Sequence, residues 1–146
     1  MSLCPIFTKS VLQIWRQMVD ERFADVKKVG TNFFKITFTG KKANRITFQQ
    51  YLDDLELCYM EKTPMVMLFD ATKAKVPSLY LQKKQSDWML IHWKMIRTYC
   101  LGTAYVIDRW AIRVVLRIIF YFTNQPVPFN VFDNEEKAIR WLNRLK

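Results

Sequence analysis

The chain is predicted to be an α/β domain, a mixed and mostly parallel sheet with an N-terminal β-hairpin and covering helices. Three observations carry that prediction. Its 146 residues suit one domain with a single core. The apolar runs Met65–Phe69 and Leu101–Ile107 fit strands buried on both faces of a parallel sheet. Helical patterns separate the strand patterns, in the order hairpin and then α-β-α-β-α-β-α.

In chain order, Ser10–Arg22 places Val11, Leu12, Trp15, Met18 and Val19 at helical spacing, which predicts a short amphipathic helix. This segment reads as an N-terminal extension over residues 1–22, ahead of one domain over 23–146. Phe23–Val29 and Phe33–Thr39 read as strands, joined by the turn residues Gly30-Thr31-Asn32 into a hairpin. Phe34, Ile36 and Phe38 share the face expected to meet the core. Thr47-Phe48-Gln49-Gln50 fits a capping box with Thr47 as cap, opening a helix whose inner face is Phe48, Leu52, Leu55 and Tyr59. Asp53, Asp54 and Glu56 are expected on its solvated side.

Met65–Phe69 ends in Asp70, and Ala71–Pro77 follows as a short basic loop. A long helix is predicted from Ser78 to Tyr99, with Trp88, Ile91, Met95 and Tyr99 inward and His92 packed beside them. After the strand Leu101–Ile107, Asp108 is placed to cap a helix over Arg109–Phe122. Asn124–Pro128 breaks that helix, and Phe129–Phe132 is a last short strand. Asp133-Asn134-Glu135-Glu136 opens a final helix with Ala138, Trp141, Leu142 and Leu145 inward.

Composition bounds the function. Half of the residues are apolar and only three are glycine, which excludes disordered and low-complexity classes. The net charge is +10, with 12 Lys/Arg against 5 Asp/Glu in residues 74–146 and 11 against 8 before them. The excess favours anionic partners, or else keeps an aromatic-rich protein soluble. Cys4, Cys58 and Cys100 are odd in number and far apart, so they suggest neither a disulfide framework nor a metal site. With no secretory signal visible and no apolar run near the ~18 residues of a membrane span, a cytoplasmic setting is expected.

Leu68-Phe69-Asp70-Ala71-Thr72, Asp87-Trp88-Met89 and Cys100-Leu101-Gly102-Thr103-Ala104-Tyr105-Val106-Ile107 stand in an order that resembles the SpoIIAA-like family of STAS/Sec14-type domains. So do Arg113-Val114-Val115-Leu116, Pro126, Pro128, Val131-Phe132, Ala138 and Trp141-Leu142. The resemblance spans roughly residues 20 to 146 and implies a small α/β domain. It also implies a regulatory binding module, since STAS relatives are switched by phosphorylation after a central strand and Sec14-like relatives bind lipid. Both are fold-level analogies. The Asp-Ser pair of a STAS switch is absent here.

Two candidate sites follow. The first is a ligand or phospho-switch loop of Asp70, Thr72, Lys73, Lys75 and Ser78, outside the carboxyl end of a parallel strand. Thr72 falls roughly where a STAS phospho-acceptor would, and a phosphate there could meet helix amides and the two lysines. Against this stands an ordinary turn or cap role for its hydroxyl. The second is an anion or lipid surface of Arg109, Arg113 and Arg117, a stripe at four-residue spacing, with Trp110 beside it. The apolar residues around that stripe are too many for one sheet to cover. Neighbouring helices, a homodimer or a lipid surface would have to meet them.

Nucleic acid suits the charge, but no RNP, KH or helix-turn-helix signature accompanies it, and it is not expected as a partner. Catalysis is not expected either: Gly-rich phosphate loops, GxSxG, HExxH and clustered His/Cys ligands are all missing, and no cofactor or metal is called for. The sequence therefore points to a non-catalytic regulatory or protein-binding module, with a protein as partner. Its alternative is a small lipid or apolar-ligand binding protein at an anionic membrane surface.

Overall fold

The computed structural model describes residues 9–122 and 124–146. Cys4 and the start of the N-terminal extension lie outside them. The elements are α1 (Lys9–Asp20), β1 (Ala24–Gly30), β2 (Phe33–Phe38), α2 (Arg45–Leu57), β3 (Met65–Asp70), α3 (Leu79–Ile91), α4 (Trp93–Tyr99), β4 (Cys100–Val106), α5 (Trp110–Phe122), β5 (Phe129–Phe132) and α6 (Glu135–Asn143). The sheet order is β1-β2-β3-β4-β5, with β1 antiparallel to β2 and every other pair parallel. This is the predicted mixed sheet with its N-terminal hairpin. Gly30 pairs with Phe33, so Thr31 and Asn32 form the turn, and Asn32 takes the left-handed conformation (φ 57°) that Asn tolerates.

Alternate residues of the central strands feed two layers. Met65, Met67, Phe69 and Tyr105 enter the larger core, shared with α2, α3 and α5. Val66, Leu68, Ala104 and Val106 face the other way, onto Ala138 and Leu142 of α6. All of Met65–Phe69 is buried, as a strand covered on both faces requires. Each fully buried aliphatic side chain contributes about 1.5–3 kcal/mol. Phe34, Ile36 and Phe38 join the larger core as predicted, but Phe33 on the opposite face is buried too, because α6 covers it. Lys35 on that face pairs with Glu135 at 2.7 Å.

Four local predictions are corrected. Asn44, not Thr47, caps α2: extended at φ −122°, it accepts from the Ile46 and Thr47 amides at 2.9 and 2.8 Å. Thr47 returns the contact, its hydroxyl accepting from the Asn44 amide at 3.0 Å, so the capping box exists three residues earlier. The predicted helix from Ser78 to Tyr99 is two helices divided at His92, whose ring packs on Trp88 at 4.7 Å. Ile91 is 77% exposed, because Leu81, Gln82, Gln85, Ser86 and Met89 form the buried face of α3. Arg109 rather than Asp108 precedes the first turn of α5, its carbonyl accepting from the Arg113 amide at 3.4 Å.

At the N-terminus, Val11, Leu12 and Trp15 of α1 are exposed, while the side chains of Met18 and Val19 lie outside the description. The last helix begins within the predicted Asp133–Glu136 start, where Asn134 caps it, accepting from the Lys137 amide at 2.9 Å, and Ala138 and Leu142 are fully buried as predicted. Asp53 and Glu56 are exposed, and Asp54 lies 3.8 Å from Arg22.

Candidate functional site

The loop after β3 is tightly wound. The Asp70 carboxylate accepts from the Thr72 amide at 3.1 Å and the Thr72 hydroxyl at 2.7 Å. The Ala71 amide donates to Val106 and the Ala74 amide to Ala71. Ser78 caps α3, its hydroxyl accepting from the Leu81 amide at 3.3 Å. Thr72 and Ser78 thus hold the turn and the helix start, while Lys73 and Lys75 are exposed.

The two candidate sites meet. The Arg109 guanidinium donates to the carbonyl of Ala74, which ties the loop to the start of α5. Arg113 reaches back to the carbonyl of Ile107 at 3.3 Å. Arg117 is exposed, a turn further on. The helix they lie on is two-faced. Ile112, Val115 and Ile119 are buried, whereas Trp110 (77% exposed), Val114 and Tyr121 share the outer face with Arg113 and Arg117. Packing inside the domain therefore covers one side of the apolar helix, and its other side is open.

Beneath the loop lies a cavity of about 90 Å³. Its floor is Phe69, Ala71, Tyr105 and Ile107, at the carboxyl ends of β3 and β4. Aromatic residues close one side: Phe23 and Phe38 from the hairpin, Phe48 and Tyr51 from α2. Gln85 and Met89 of α3 and the buried face of α5 close the other. Lys75 and Pro77 form part of the rim. Such a position, outside the carboxyl ends of parallel strands, is where open α/β sheets bind ligands.

Few groups in the lining are polar. The hydroxyl of one of them, Tyr105, accepts from the amide nitrogen of Gln125 at 3.1 Å, outside the lining, and the same nitrogen donates to the Thr103 hydroxyl at 3.3 Å. Burial pushes the Tyr105 phenol up to about 12, against the lowering effect of those two hydrogen bonds. Burial, reinforced by Tyr105, raises the Tyr51 phenol further. Both phenols stay protonated at neutral pH and act as hydrogen-bonding groups rather than bases. Burial likewise raises the Cys58 thiol to about 12 and the Cys100 thiol to about 11, which suits small apolar core residues.

Sequence reasoning did not single out Tyr51, Gln85 or Tyr105. Tyr51 lies three residues after Phe48, so helical spacing could have placed it inward. A buried glutamine carries no such signal. Among the described residues no three His, Cys, Asp or Glu side chains converge as a metal site, and no helix is long and apolar enough to cross a membrane.

No protein-family model matches the chain, and no curated protein does. Its fold does match a solved structure, an uncharacterised protein of the DUF3478 family with a SpoIIAA-like fold from Shewanella loihica PV-4. The TM-score is 0.59 at 21% identity, covering 82% of this chain and 91% of the other. The chain is thus an α/β protein with the SpoIIAA-like fold.

Proposed function

We propose that this protein is a non-catalytic ligand-binding module that holds a small apolar or amphipathic ligand beneath the Asp70–Ser78 loop. The observation that carries this reading is the aromatic-lined cavity at the carboxyl ends of β3 and β4. A protein-binding regulatory module of the STAS kind rests on the loop alone, and the cavity under that loop favours a ligand. Native mass spectrometry of freshly purified protein, paired with titration of an apolar fluorescent probe, tests it. A co-purifying mass or saturable probe binding supports the proposal. Bare chain together with no saturable binding overturns it.

A second reading, favoured by the outer face of α5, is docking on an anionic membrane surface. There Trp110 and Val114 would enter the headgroup boundary, with Arg113 and Arg117 beside them meeting lipid phosphates. Flotation with anionic vesicles is its test, and a chain that stays behind at low salt counts against it.

A further inference from the structure

We infer that the ligand of this cavity is a short-chain monocarboxylate, its alkyl end among the aromatic rings and its carboxylate at Lys75. The inference rests on the ligand-binding reading and adds size and charge to it. Size comes from the volume. About 90 Å³ is smaller than the roughly 150 Å³ apolar cavity that takes benzene. That space accommodates a branched or straight chain of about three to five carbons and excludes the acyl chain of a membrane lipid. Polarity comes from the lining, which is mostly phenylalanines and aliphatic side chains with the neutral groups of Tyr51, Tyr105 and Gln85, and so offers no opposite charge at depth.

Charge comes from the rim. Among the described residues of the lining Lys75 alone carries a formal charge, and it is an exposed residue of the loop. The neighbouring Arg109 guanidinium is already engaged with the Ala74 carbonyl and lies 3.8 Å from the Asp108 carboxylate. Lys75 is therefore the cation placed to meet an anionic end group by a charge-assisted hydrogen bond.

The experiment compares isovalerate, its neutral isostere isovaleramide, and palmitate, each titrated against the full chain by calorimetry and amide NMR. The wild-type protein and a Lys75→Met variant are used, Lys75 being exposed and its loss compatible with folding. Isovalerate is expected to bind about tenfold more tightly than the amide, and the variant to lose that margin while keeping amide binding. Equal binding of acid and amide, or a Lys75→Met variant with undiminished preference for the acid, overturns the inference and leaves the ligand-binding reading standing. Binding of palmitate alone does the same. No shift of any cavity resonance with all three probes overturns the inference, and failure of the apolar-probe titration as well overturns the ligand-binding reading beneath it.

Discussion

The hydroxyl of Ser86 donates to the backbone carbonyl of Ile119 at 2.7 Å, a fully buried bond that fastens α3 to α5. Its other carbonyl contact, to Gln82 one turn back, is longer at 3.3 Å. A small polar residue here lets the two helices approach, and those helices wall the cavity on one side. Ser86→Ala is expected to cost about 1–3 kcal/mol, because the Ile119 carbonyl loses a buried donor. A lowered denaturation midpoint and faster amide exchange along α5 are the measurements that check it.

At Gly102 an added side chain is expected to displace the end of Leu145 and press on the Pro128 carbonyl. A Cβ there would lie 2.4 Å from Leu145 Cδ1 and 3.1 Å from the Pro128 carbonyl oxygen, where α6 closes on β4. Gly102→Ala should cost about 1–3 kcal/mol by overpacking. Gly30→Ala is the control, since its nearest neighbour would be Phe33 Cβ at an ordinary 3.6 Å. Equal thermal shifts for the two variants would contradict the packing argument.

Filling the cavity should separate stability from binding. Ala71 is buried and lines the cavity floor. Ala71→Leu adds three carbons to a space of about that size, and is expected to raise stability by about 0.5–2 kcal/mol. The same variant should abolish saturable binding of apolar probes. Retained binding in a folded variant would place the ligand elsewhere.

Stability should decline in alkaline solution. Cys58 and Cys100 are raised from their usual 9.0 to about 12 and 11, and Tyr105 from 10.0 to about 12, chiefly by burial. Below about pH 8 these groups are almost fully protonated in both folded and unfolded chains and add little pH dependence. Between pH 9 and about 11–12 the unfolded chain loses protons that the folded chain keeps. Folding then weakens by up to about 1.4 kcal/mol per pH unit for each group. Denaturation at pH 8 and pH 10.5 measures the loss. A thiol reagent at pH 8 should modify Cys58 and Cys100 only as fast as the protein opens.

Charge reversal on the outer face of α5 tests the membrane reading. Arg117→Glu, at an exposed residue, should leave the fold intact and weaken flotation with anionic vesicles, as should added salt. Flotation unchanged by both would remove electrostatics from any association.

Much of the architecture was legible before the structure. Unbroken apolar runs marked β3 and β4 because strands covered on both faces have no polar side. The errors have physical causes. Asn44 and Thr47 are both good caps, and only the extended backbone at Asn44 decides between them. His92 divides α3 from α4 with neither Gly nor Pro to announce it. Ile91 was expected inward because apolar periodicity assumes that buried helix faces are apolar. In α3 the inward face carries Gln82, Gln85 and Ser86, of which Gln82 donates to the Pro77 carbonyl and Ser86 to the Ile119 carbonyl.

The site divides in the same way. By itself, the sequence determined the alternation of strands and helices, the basic loop after Asp70 and the four-residue spacing of the arginines, because these are local patterns. Only the tertiary structure decided that Arg109 holds Ala74, that one side of α5 is buried and the other open, and that aromatic rings from the hairpin and α2 meet Tyr105 around one cavity. Those are contacts between residues far apart in the chain, set by how the helices pack on the sheet.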